Sequence, residues 1–221
     1  SWGVSTRLVG AVIMAHGDDK GLCLPPKIAP HQVVMVPIAK NENGYLKVRE
    51  FISPVLDEMR KGGIRIYEDW SDNSPGFKFN EWEMKGVPLR LEVGPRDIES
   101  GQAVLVRRDT GEKIILEKNM ITEQAPRLLE EIQKGLFKQA LAFREKNTHE
   151  VSSYSNFRDT IKNKGGFIRC GWDGTQKTEM KIKEDTNATI RCILNNEDLS
   201  GMKCVYSGNP AKHVVIYGKA Y

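Results

Sequence analysis

Between Gln32 and Asn147 the apolar residues follow two alternating periods. The run QVVMVPI, from Gln32 to Ile38, reads as a strand, and Asn41 to Gly44 leads from it into a helix. In that helix Val48, Phe51, Ile52, Val55, Leu56 and Met59 recur at helical spacing until Gly62 and Gly63 stop it. IRIYED predicts a second strand, and the block after Pro75 a turn and a short helix around Asn80 to Met84. VPLRLEV predicts a third strand. Its alternation puts Val87, Leu89, Leu91 and Val93 toward a core and Arg90 and Glu92 together on the opposite face. AVLVRR and KIILEK, joined at Asp109, Thr110 and Gly111, form a hairpin. A long helix starts near Thr122, with Ala125, Leu128, Leu129, Ile132, Leu136, Ala140 and Phe143 as one apolar stripe, and ends before Asn147.

Both ends of the chain differ from this middle. Ser5 to Ala15 is nearly all apolar and predicts a buried helix, with Ser5 and Thr6 as caps and Arg7 in its first turn. HGDDKGLCLPPKIAP then carries the glycine and proline punctuation of turns and a linker, which sets a boundary near Pro30. After His149 come an amphipathic helix at about Tyr154 to Asn163, a strand at Gly166 to Cys170, and the strand candidates ATIRCIL and HVVIYGKAY. That pattern predicts a small α+β domain. The division expected is residues 1–30, 31–121, 122–148 and 149–221.

Composition bounds the function classes. The sequence is 39% hydrophobic and has no apolar run near the length of a membrane span. Its 33 basic and 29 acidic residues leave a net charge of +4, which permits a polyanionic partner without arguing for one. Four cysteines without a CxxC pair make reduced thiols the expectation, and with no leader sequence a cytoplasmic setting. The abrupt start at Ser1, Trp2, Gly3 reads as the downstream part of a longer protein.

The densest chemistry lies between Pro75 and Asp97. Lys78, Lys85, Arg90 and Arg96 are matched by Glu81, Glu83, Glu92 and Asp97 around Phe77, Phe79 and Trp82, so the block carries no net charge. A simple basic patch is thereby excluded. An arginine fork suits the O6/N7 edge of guanine, a carboxylate suits its N1 and N2 donors, and aromatic rings stack on splayed bases. The rival reading makes Glu83 and Arg90 a surface ion pair and Phe79 a core residue.

Together these segments resemble the C-terminal part of the class II prolyl-tRNA synthetases that carry an extra C-terminal domain. SWGVSTRLVGAVIMAHGDDKGLCLPPKIAP resembles motif 3 of their catalytic domain, the Pro75 to Asp97 block the heart of their anticodon-binding domain, and GNPAKHVVIYGKAY their terminal strand. The fold implied is α/β: the tail of a catalytic domain, a mixed-sheet anticodon-binding domain, and a small α+β C-terminal domain. The activity implied is that of an ATP-dependent proline–tRNA ligase, with magnesium accompanying ATP, tRNA(Pro) as partner and a homodimer as the usual assembly.

The resemblance also assigns residues. Arg7 matches the arginine that holds the phosphate tail of ATP, and Trp2, Gly3 and Ser5 match the edge of the proline and adenylate pocket. Phe79, Glu83, Arg90, Arg96 and Asp97 match the positions that read the anticodon, and they are expected to converge on one solvent-facing ledge. Arg107, Arg108 and Lys113 are candidates for phosphate contacts, with a solvated turn as the alternative. Tyr221 matches a terminal tyrosine that folds back toward the active site. Many relatives bind zinc through four cysteines. Here Cys170 and Cys204 fit two of the slots, while the others fall near Thr178 and at Tyr206 or Ser207, so no zinc is expected. Cys192 is expected in a buried strand, and Trp172, Ile182, Ile190, Ile193 and Val205 are expected to hold that domain together. A non-catalytic RNA-binding protein that reuses the anticodon fold is the alternative function. The HGDDKGL stretch and the extra domain disfavour a threonyl- or histidyl-type enzyme.

Overall fold

In the computed structural model, which describes residues 3–219, the first helix, α1 (Arg7–His16), buries none of its residues. This corrects the expectation of a buried helix. Leu8, Val9, Ile13 and Met14 are exposed, because an apolar face needs a partner surface and none of the described residues supplies one. Thr6 is the N-cap but makes no side-chain cap; the Ser5 hydroxyl accepts the Arg7 N–H instead, at 3.4 Å. Trp2 and Tyr221 lie outside the described residues.

The chain divides into two compact units, Ser1–Ala140 and Leu141–Tyr221. The first holds β1 (Val33–Pro37), α2 (Glu42–Lys61), β2 (Ile66–Glu68), α3 (Pro75–Met84), β3 (Leu89–Val93), α4 (Pro95–Ser100), β4 (Gln102–Arg107), β5 (Lys113–Glu117) and most of α5 (Ile121–Lys146). Its sheet runs in the order β2-β1-β3-β4-β5. β1 is parallel to both β2 and β3, and the remaining pairs are antiparallel.

This topology decides which helix covers which face. The β1-α2-β2 connection steps one way along the sheet, and β2-α3-β3 steps back across β1. Right-handed crossovers therefore place α2 and α3 on opposite faces. On the first face Val33, Met35, Leu89, Leu91 and Leu105 pack with Ile52 and Leu56 of α2 and with Ile121, Leu129 and Ile132 of α5. On the second, Val34, Val36, Trp82 and Val87 form a smaller cluster edged by Phe79. β1 is thus buried on both sides, as its unbroken apolar run requires.

Several sequence expectations need correction. Val87 packs with the second cluster, because the strand starts only at Leu89, after Pro88. α3 is a full helix from Pro75; the Ser74 hydroxyl caps it by accepting the Phe77 N–H, and Pro75 sits at a first-turn position where its missing N–H costs nothing. The buried stripe of α5 ends at Leu136, and Phe143 is exposed. Helix α4 was not expected.

The second unit holds β6 (Thr148–Glu150), α6 (Tyr154–Asn163), β7 (Phe167–Trp172), α7 (Gln176–Thr186), β8 (Ala188–Leu194) and β9 (His213–Lys219). Its sheet order is β6-β7-β9-β8. Phe157, Ile161, Ile168, Ile182, Val215 and Tyr217 make its core. Cys192 and Ile193 are exposed, contrary to expectation: β8 is an edge strand, and a register shift between Ile190 and Cys192 disturbs its alternation.

A buried carboxylate ties this unit's loops together. Asp173, 6% exposed, accepts hydrogen bonds from the Ser207 hydroxyl at 2.7 Å and the Thr178 hydroxyl at 2.9 Å on one oxygen. Its other oxygen takes the Thr175 hydroxyl at 2.9 Å and the Thr175 N–H at 3.1 Å. Burial alone would raise its pKa; the bonds from Ser207, Thr175 and Thr178 outweigh that and hold it down to about 2. The resemblance sets two zinc-ligand slots near Thr178 and at Tyr206 or Ser207, and of these residues Thr178 and Ser207 face Asp173. Their hydroxyls already donate to Asp173, and only Cys170 and Cys204 remain as thiols, so this donor set does not fit zinc.

Candidate nucleic-acid interface

Helix α3 is locked onto the sheet by a buried polar cluster. The Trp82 indole N–H donates to Asp69 Oδ2 at 2.7 Å, and the fully buried Lys78 donates to the Asp69 carbonyl at 3.0 Å, with the Asp69 carboxylate 3.8 Å away. Burial pushes the Asp69 pKa up, but the bonds from Ser71 and Trp82 prevail and lower it. Fixing Trp82 in this way fixes Phe79 and Glu83, which stand one turn apart on the same side of α3.

Arg90 meets these two residues from β3. Its Nε donates to Glu92 Oε1 at 2.8 Å, its guanidinium lies 4.3 Å from the Phe79 ring centroid, and one Nη1 hydrogen reaches the Phe79 carbonyl at 3.5 Å. Glu92 is itself buried, so Arg90 neutralises a carboxylate that would otherwise be stranded. The alternation that put both side chains on one face hinted at this bond, yet Glu92 was not singled out.

Glu83 and Arg90 share a cavity of about 200 Å³ with Lys20, Trp82, Arg107 and Lys113. The Glu83 carboxylate is bridged to Lys20 at 3.1 Å, and that lysine is mostly solvated. Such a pair is weak in water and exchanges readily for a ligand's donors. Arg107 is committed to Asp109 at 2.9 Å and to Glu131 at 3.3 Å. Arg108 is buried and grips both oxygens of Asp18, at 2.6 and 2.8 Å, while its Nε donates to the Glu83 carbonyl. That grip, helped by the Lys20 N–H, holds the Asp18 pKa down to about 2. Arg108 therefore braces the HGDD turn against α3 and is not available to a phosphate.

Phe79, Glu83 and Arg90 are thus brought together. Arg96 and Asp97 are placed elsewhere: they sit on α4, beyond the carboxyl end of β3, whereas the cavity is lined by residues flanking its start, where Leu89 pairs with Arg107. Asp97 Oδ2 accepts the Gly94 N–H at 2.7 Å and caps its own helix, and Arg96 is exposed. Among the described residues no hydrogen bond or ion pair links either to the other three. Gly3, Ser5 and Arg7 lie exposed at and just before the start of α1. No helix of the described residues is long and apolar enough to cross a membrane.

A mixed five-stranded sheet covered by helices on both faces, with a cavity against an aromatic helix lined by Glu83 and five cationic side chains, is the architecture of an anticodon-binding module of aminoacyl-tRNA synthetases. Residues 32–132 match the family model described as an anticodon binding domain. Residues 154–221 match the one described as the C-terminal part of prolyl-tRNA synthetase. All of this chain aligns with proteins named proline–tRNA ligase: 48% identical over 221 residues in Lachnospira eligens, 51% over 230 in Prosthecochloris aestuarii and 47% over 222 in Porphyromonas gingivalis. The chain belongs to the prolyl-tRNA synthetase family, as a part of its C-terminal half. It spans 46%, 47% and 45% of these three relatives, a little under half of each.

Proposed function

We propose that this chain is the anticodon-reading portion of a proline–tRNA ligase, which activates proline with ATP and magnesium and transfers prolyl to tRNA(Pro). The observation that carries the reading is Arg90, backed by Phe79 and aligned by Glu92, at the wall of a cavity that also holds Glu83. The free N–H groups of Arg90 address guanine O6 and N7. Glu83 exchanges Lys20 for the N1 and N2 donors of the base. With Phe79 covered by the guanidinium, an incoming base stacks on the Arg90–Phe79 pair as a unit. Arg96 and Asp97 form a second station for the neighbouring base, and Lys113 steadies the RNA backbone.

The N-terminal stretch fits the remainder of such an enzyme. Arg7, exposed at the start of α1, is suited to the phosphate tail of ATP. Trp2, Gly3 and Ser5 edge the proline pocket, and the uncovered apolar face of α1 packs against the catalytic domain. In this reading residues 1–30 end that domain, 31–121 read the anticodon, 122–148 connect, and 149–221 form the terminal domain. The whole protein works as a cytoplasmic homodimer, and Tyr221 folds back toward the active site.

Gel-shift competition tests the reading. With labelled tRNA(Pro) bound to the chain, unlabelled tRNA(Pro) is expected to displace it at much lower concentration than tRNAs lacking the two anticodon guanines. Equal competition by all tRNAs contradicts the proposal.

A further inference from the structure

We propose that a second cavity, on the far side of Trp82 from Arg90, takes another unstacked base of the same anticodon loop. The inference rests on the anticodon-reading function above and extends it to a site with its own residues. Strand register sets the geometry. Tyr67 of β2 pairs with Val34 of β1, and Val34 pairs with Arg90 of β3, so Tyr67 and Arg90 stand on one row across the same sheet face. Two strand spacings separate them, about 10 Å. Trp82 packs on Val34 between them and lines both cavities.

The second cavity has a volume of about 650 Å³, within the range of sites that enclose a small flat ligand. Its wall is aromatic. The half-exposed Tyr67 ring lies 4.8 Å from Trp82 and 5.2 Å from His31, centroid to centroid, and Lys85 Nζ stands 4.3 Å from the Trp82 ring. The charged lining argues against a phosphate: Asp69 is neutralised by the buried Lys78 behind it and Glu81 by Lys85, so the cavity offers no spare positive charge. A neutral ring with donor edges suits it. Asp69 is already committed to Trp82 and Ser71, and one Glu81 oxygen to Lys85 at 2.7 Å. The other Glu81 oxygen, the Tyr67 hydroxyl and the His31 ring nitrogens have no protein hydrogen-bond partner among the described residues, and they can meet the amine and ring nitrogens of a base. A base seated here and one seated on Arg90 are held apart by the Trp82 wedge, as single-stranded RNA recognition requires.

The test uses a stem-loop RNA carrying the proline anticodon, with fluorescent aminopurine placed at each loop position in turn. Tyr67→Ala is expected to weaken binding about tenfold, in line with the loss of one base–aromatic stack, and Tyr67→Phe to retain most of the affinity. At one loop position other than the two guanines, the aminopurine signal should change on binding to the wild type and to Arg90→Ala, but not to Tyr67→Ala. A wild type that discriminates the guanines while Tyr67→Ala binds equally well overturns this inference alone. A wild type indifferent to the guanines overturns the anticodon reading with it.

Discussion

Asp173→Ala is expected to destabilise the C-terminal unit by roughly 1–3 kcal/mol, because it leaves the buried Thr178 hydroxyl without its acceptor while the exposed Thr175 and Ser207 turn to water. The acceptor lost joins Ser207, between β8 and β9, to Thr175 and Thr178 at the start of α7, so these two segments also part. A unit of this size has a total stability of roughly 4–12 kcal/mol, so the change removes an appreciable part of it. Urea denaturation followed by tryptophan fluorescence checks the size: Trp172 reports on this unit, and an unchanged midpoint contradicts the account. Asp173→Asn keeps the shape and one acceptor oxygen and is expected to cost markedly less. The pH dependence has a definite sign. The folded pKa of Asp173, about 2, lies below the ordinary 3.8, so its contribution is complete above about pH 4 and is lost as the pH falls through about 2. Asp173→Asn should flatten the stability profile across that window.

Arg90→Ala is expected to weaken binding of a proline-anticodon stem-loop by about tenfold to a hundredfold and to erase its preference for guanine, since a bidentate arginine–guanine contact supplies about 1–3 kcal/mol. Titration against stem-loops that carry guanine or adenine at the read position measures both effects. Arg90→Lys should not restore discrimination, because a lysine offers a point charge where the base edge needs a planar fork. The substitution also strands Glu92 in the core. Adding Glu92→Gln should therefore recover stability without recovering guanine preference, which separates reading from folding. Full retention of discrimination by Arg90→Ala contradicts the proposed role.

The parts of this fold that the sequence made legible are those set by local periodicity. The spacing of Val48, Ile52, Val55 and Leu56 marks α2, and the alternation across Leu89 to Val93 places Arg90 and Glu92 on one face. Short or polar elements carry too little of that signal. α4 has six residues, and α7 buries only Thr178 and Ile182 on a highly charged helix. The exposed face of α1 shows another limit, since apolar residues declare a need for burial without saying what does the burying. At the interface, residue types suggested base reading, but the pairings are tertiary. Arg108 reaches Asp18 across ninety positions, and Asp173 reaches Ser207 across thirty-four. Tyr67, Trp82 and His31 meet only because β2 lies beside β1 and α3 crosses over it. Arg96 and Asp97, adjacent in sequence to β3, are carried past the end of the strand by the turn at Gly94.

The central claim is that the first unit reads guanine edges in an anticodon loop. It is tested most directly by equilibrium binding of the whole chain to two stem-loops that differ only in the last two anticodon bases. The account predicts that replacing both guanines with adenines weakens binding by at least about tenfold, the worth of one lost bidentate contact. Equal affinity for the two RNAs would contradict it.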